Sequence, residues 1–172
     1  MNLPIILDIE ASGFGPEGYP IEIGFIKNDK ERYCRLIKPY NDWTYWDKTA
    51  EKLHGISRDK LLKHGNSASE ICLELNSLLK GETVYSDGWV VDSSWLNMLF
   101  DRSNIPKLFR LSSLEIILKE PQIEIWDATK ISVVNDTHIE RHRASNDALI
   151  IQKTFFQTLQ RTESKITKIK NS

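Results

Sequence analysis

The sequence predicts an α/β layered domain with a mixed five-stranded sheet flanked by helices, and three observations predict it. Three apolar runs joined by short polar turns open the chain, as in an antiparallel meander. After about residue 48, helical periodicity alternates with two further short apolar runs, the pattern of parallel strands with helical crossovers. The length, 172 residues, suits one hydrophobic core, and no repeat, low-complexity block or linker divides it.

Taken in order, Pro4-Ile5-Ile6-Leu7 reads as a buried first strand that continues through Asp8, Ile9 and Glu10 to a small-residue turn. Phe14 to Pro20 is turn-rich by composition. Ile21 to Ile26 alternates apolar with small or polar residues, as a second strand should. Asn28-Asp29-Lys30 is a polar turn into a third strand, Tyr33 to Ile37, ended by Pro39. Lys48 to Leu53 is helical and stops at His54-Gly55, with Gly55 as its C-terminal cap; Ser57 to Leu62 is a further helical turn. Ser67-Ala68-Ser69-Glu70 matches a capping box, and Ile71, Leu75, Leu78 and Leu79 then share one helical face. Thr83-Val84-Tyr85 is a fourth strand, followed by a helix from about Asp92 to Phe100 and a helical stretch from Leu114 to Leu118. Ile123-Glu124-Ile125-Trp126 alternates as a fifth strand. A last helix from Ala144 to about Gln160 carries the stripe Ala148, Ile151, Phe155, Leu159. Residues 1–160 thus form the domain. The polar, basic remainder, 161–172, with Arg161, Lys165, Lys168 and Lys170, is expected to be flexible.

Composition narrows the function classes. A formal net charge of −1 excludes binding of nucleic acid by bulk positive charge, while leaving room for a local basic strip beside an acidic site. Cys34 and Cys72 lack metal-ligand spacing and read as reduced core thiols. No apolar run approaches membrane-spanning length and no leader pattern opens the chain, so a soluble, cytoplasmic protein is the expectation.

The informative residues are acids. Asp8 and Glu10, two apart on a strand, project from the same face, where neighbouring carboxylates repel and lose hydration. A divalent cation held by hard oxygen ligands relieves both costs; a polar strand end reaching water is the simpler alternative. Asp92 follows the apolar Trp89-Val90-Val91, where it also suits a helix N-cap. Asp147 stands near the start of the last helix, where an acid also complements the helix dipole. His142 precedes Asp147 by five residues, in a loop flanked by Arg141 and Arg143, and histidine is the residue type suited to a general base near neutral pH.

Asp-x-Glu ending strand one, Asp92 heading a middle helix and His142-x-x-x-x-Asp147 before the last helix together resemble the three motifs of the DnaQ-like 3′–5′ exonucleases of the DEDDh group. Leu53-His54-Gly55-Ile56 is similar to that family's His-Gly-Ile segment. The resemblance covers roughly residues 3 to 160. It implies a ribonuclease H-like fold, with three antiparallel strands followed by two parallel ones. It also implies release of nucleoside 5′-monophosphates from the 3′ ends of single-stranded or frayed DNA or RNA. By the same resemblance Asp8, Glu10, Asp92 and Asp147 would hold two Mg²⁺ (or Mn²⁺) ions and His142 would be the general base. Ala11, Ser12, Gly13, Phe14, His54 and Arg143 are the candidates for substrate contact. Ala11-Ser12-Gly13 departs from the family's Thr-Thr-Gly, and Tyr85-Ser86-Asp87-Gly88 from its Ala-His-Asn, which makes Asp87 a rival to Asp92; the Trp95-Leu96 that follows favours Asp92. Phe14 is placed to meet a base, with core packing as the alternative. Trp43, Tyr45 and Trp46 suit a nucleotide groove, the core or a dimer interface, and His54 also suits a helix-end cap. A proofreading subunit bound to a polymerase, and a non-catalytic nucleic-acid-binding adaptor of the same fold, are the alternatives; a homodimer stays open.

Overall fold

The computed structural model describes residues 3–170, with side chains to residue 164. The expected meander is present as β1 (Ile5–Ala11), β2 (Pro20–Ile26) and β3 (Arg32–Leu36), paired antiparallel. β4 (Thr83–Ser86) joins the other side of β1 in parallel and β5 (Arg110–Ser113) extends the sheet in parallel, giving the order β3-β2-β1-β4-β5. The sheet is therefore mixed and five-stranded as predicted, but its fifth strand is a different segment. β5 carries one buried apolar side chain, Leu111, and reads as too polar for a strand; as a short, charged edge it needs no more. The alternating Ile123 to Trp126 lies instead across a helical junction, with Ile123 exposed and Gln122 buried. Pro121, in the first turn of the segment's helix, favours that start and removes a ladder donor.

The helices follow as α1 (Lys48–His54), α2 (Arg58–His64), α3 (Ala68–Leu79), α4 (Trp89–Ser103), a 3₁₀ turn at Leu114–Ile117, α5 (Glu120–Glu124), α6 (Trp126–Thr137) and α7 (Ala144–Lys170). Gly55 caps α1 in the left-handed region, at φ 65°, and Ser67 and Glu70 form the predicted capping box. α4 begins earlier than predicted, at Trp89 behind Gly88, so Asp92 lies inside its first turn rather than at its cap. α7 continues past the expected end near Gln160 to Lys170; the side chains of 165–172, and the backbone of 171 and 172, lie outside the described residues.

Alternation along β1 sends Leu7 and Ile9 to one face, against Ile71, Leu75, Leu96 and Leu99 of α3 and α4. Ile6 points to the other, with Ala148, Ile151 and Phe155 of α7. Asp8 and Glu10 continue the Ile6 face, under the start of α7. Asp8 stands opposite Gly24 of β2, and Gly24 is what lets α7 approach: a Cβ there would lie 2.3 Å from the Ser145 nitrogen and 2.7 Å from the Ala144 carbonyl carbon. Gly24→Ala is therefore expected to lower stability by about 1–3 kcal/mol, the usual range for overpacking, as read by urea denaturation. An unchanged midpoint would contradict this seating of the helix.

Candidate active site

β1 pairs with β4 only at Ile5 and Ile6, so the half of β1 that carries Asp8 and Glu10 faces a gap in the sheet. The first turn of α4 follows the end of β4 at this edge, and the start of α7 lies over Gly24 of β2, on the other side of β1. α4 brings Asp92, which is buried and accepts a short hydrogen bond from the Ser86 hydroxyl at the end of β4. α7 brings Asp147, whose carboxylate accepts the backbone N–H of His142 at 2.8 Å and meets the Arg141 Nε at 3.4 Å. His142 itself is in the left-handed region, at φ 61°, uncommon for a residue with a side chain. One donor atom from each of Glu10, His142 and Asp147 falls within 4.8 Å of the others, a set able to hold a metal ion.

A cleft of about 240 Å³ joins Asp8, Glu10, Asp92 and His142 to Ala11, Gly13, Phe14, His54 and Trp95. Electrostatics in it are unfavourable to four bare carboxylates. Burial, then Asp92, Glu10 and Asp147 in turn, lift Asp8 well above the usual carboxylate range. Glu10 is pushed up to about 7, by burial first and then by Asp147 and Glu22. Asp92 also rises to about 7 through burial, against the Ser86 hydrogen bond that favours its charged form. Asp87 lies in the turn before α4 and is paired to Lys130 of α6 at 2.6 Å; its charge adds to the repulsion on Asp8 and Asp92.

The predicted substrate residues divide. Phe14 is exposed, not in the core, and its ring lies 6.2 Å from that of Trp95 at the cleft lip. Ala11 and Gly13 line the cleft; a Cβ on Gly13 would meet Tyr45 at 2.8 Å, which accounts for a glycine there. Ser12 is fully buried, its N–H on the Tyr19 carbonyl and its hydroxyl accepting the Tyr19 N–H, so it fastens the loop. His54 accepts the Ile56 N–H through Nδ1, which puts the proton of the neutral ring on Nε2. That Nε2 is buried without a partner beside the cleft, and burial lowers the ring's pKa and keeps it neutral. Arg143 directs Nε and Nη2 onto Glu22, a fully buried acid of β2. Trp43 is in the core, stacked on Tyr19, and Trp46 bonds Glu51 through its indole N–H. Reading the sequence missed Ser86, Glu22, Leu53 and Val91. Only Glu22 left a signal, an acid inside an otherwise apolar strand run.

The fold as a whole has solved counterparts. The fold is ribonuclease H-like. Against E. coli exonuclease I bound to a dA16 oligonucleotide, the TM-score is 0.69 at 13% identity, covering 94% of this chain and 41% of that one. The exonuclease I complex with a dT13 oligonucleotide gives 0.65 at 13%, over 98% and 43%. An apo exonuclease I gives 0.55 at 15%, over 81% and 32%. The chain thus spans well under half the length of these ribonuclease H-like neighbours. No protein-family model matches the sequence, and no curated protein does. No helix among the described residues is long and apolar enough to cross a membrane.

The raised carboxyls give a pH dependence of definite sign. Between the ordinary carboxylate pKa and about 7 the folded chain holds more protons than the unfolded one, so stability is greatest at the acid end and falls as pH rises through the folded values. In EDTA, on the order of 2 kcal/mol should be lost between about pH 5 and 8. Glu10→Gln should flatten that slope in urea titrations; a stability that rises with pH would contradict the crowding of acids.

Proposed function

We propose that this chain is a metal-dependent 3′–5′ exonuclease that hydrolyses the terminal phosphodiester of single-stranded or frayed DNA or RNA and releases nucleoside 5′-monophosphates. The observation that carries this reading is the convergence of Asp8, Glu10, Asp92 and His142 on one cleft, with Asp147 grouped against Glu10 and His142, in the order of the DEDDh motifs. The donor set fits hard divalent cations such as Mg²⁺ or Mn²⁺, because carboxylates this crowded favour protonation unless a strong positive charge joins them. Asp8, Glu10, Asp92 and Asp147 would hold two such ions, which supply charge stabilisation for the attacking and leaving oxygens of phosphoryl transfer.

The chain's own residues do the rest. His142 lies beside Glu10 and Asp147, where an imidazole can take the proton of the attacking water. Its backbone N–H bond to Asp147 ties the base to the carboxylate it works beside. Ser86 keeps Asp92 toward its charged, ligand-competent form. Phe14, with Trp95 behind it, offers a face for an unstacked base. The buried Nε2–H of His54 offers a hydrogen bond to the terminal nucleotide, and Ala11 and Gly13 allow its backbone to come close. Ser12 shapes that loop from beneath.

The test follows 5′-labelled single strands of DNA and RNA with Mg²⁺ or Mn²⁺. Stepwise shortening from the 3′ end is expected, abolished by EDTA and by Asp8→Ala. His142→Ala should lower kcat by about 10²–10⁴-fold, the range for losing a general base, while Mn²⁺ binding persists. Intact strands with tight binding would instead favour the adaptor alternative. Phe14→Ala should raise KM by about 5–100-fold, corresponding to the loss of one base stack, and leave kcat within a factor of two.

A further inference from the structure

We propose that Glu22 and Arg143 form a positioning pair for the reaction centre, with Arg143 working on the protein rather than on a substrate phosphate. Glu22 is fully buried on β2, opposite Glu10 and on the same face of the sheet. Its carboxylate accepts Arg143 Nη2 at 2.6 Å and Nε at 3.1 Å, and the backbone N–H of Ala144 at 2.8 Å. Two of the three guanidinium nitrogens are thereby occupied, and the first residue of α7 is bonded to the strand beside β1. The pair spans the sheet and the helix start beside Gly24, where the helix backbone leaves no room for a side chain.

What it holds is the register of the site. His142 is the residue immediately before Arg143, in a left-handed turn, and Asp147 is one helical turn further on, bonded back to the His142 N–H. A fork gripping Glu22 and an N–H gripping the same carboxylate fix both position and rotation of this turn relative to Glu10. Lysine, a point charge without the fork, would keep the ion pair and lose the rotation.

The activity arm of the test rests on the exonuclease reading; the metal arm does not. Arg143→Lys and Glu22→Gln are compared with wild type for thermal midpoint, Mn²⁺ binding by calorimetry, and kcat and KM on a single strand at saturating Mn²⁺. For Arg143→Lys the expected result is Mn²⁺ affinity weakened about 10–100-fold, with kcat down by a similar factor and KM within about twofold. Glu22→Gln, which keeps an acceptor for the Ala144 N–H, should behave alike if it folds; if it does not, Arg143→Lys decides. Unchanged Mn²⁺ affinity in Arg143→Lys overturns the proposal, and a raised KM with unchanged kcat assigns Arg143 to the substrate instead. Wild type that binds Mn²⁺ and cleaves nothing fails the exonuclease reading alone, because the loss of Mn²⁺ affinity in the variant still supports the pair.

Discussion

Carboxylates crowded at the unpaired end of a buried strand cannot all stay charged without positive charge close by, and the surrounding structure is arranged around that constraint. Six acids lie on or around the Glu10 end of β1, and the protein treats them differently. Glu22 is given Arg143, and Asp87 is given Lys130. Asp92 receives the Ser86 hydroxyl and the Ile9 backbone N–H, Asp147 a backbone N–H and a distant, exposed guanidinium, and burial and mutual repulsion push Asp8 and Glu10 upward. The sorting separates acids paired with a cation of the chain from acids that, under the proposed reading, would take an external cation.

Such a site needs its members brought in from distant parts of the chain with little tolerance, and the sheet supplies this. β4 leaves β1 after Ile6, and the chain that follows β4 returns as α4 with Asp92 bonded to the Ile9 backbone beside Asp8. Gly24 permits α7 to sit directly on β2, where any side chain would collide with the helix backbone. The same seat delivers His142 and Asp147 next to Glu10, so the packing of Ala148, Ile151 and Phe155 behind them also sets the site's geometry. Stability and chemistry share these contacts.

Where residues act through local physics, the sequence disclosed them. The meander, the Gly55 cap, the Ser67–Glu70 box and the same-face pair Asp8 and Glu10 all follow from short-range rules, and all are present. The misplaced fifth strand has the opposite character. A polar edge strand such as Arg110–Ser113 is stabilised by pairing with Thr83–Ser86, which no local pattern encodes, while the alternation of Ile123 to Trp126 was incidental to a helical junction opened by Pro121. Arg143 and Glu22 lie 121 residues apart and meet only in the folded chain. Each read plausibly alone, one as a basic loop residue and the other as part of a strand.

The committed cations bear on how a substrate would be chosen. Arg143 and Lys130 are paired with neighbouring acids, and the net charge is −1, so bulk positive charge does not supply attraction for a polyanion. What the cleft lip does offer is apolar surface: the exposed Phe14 and Leu53, with Val91 and Trp95 beside them. A duplex hides its base faces by stacking, whereas a frayed or single-stranded end exposes them. Under the proposed reading, selection would therefore turn on whether the terminal base is free to leave its stack. Discrimination of that kind depends on apolar contact, and it should vary far less with salt than recognition through many phosphates would.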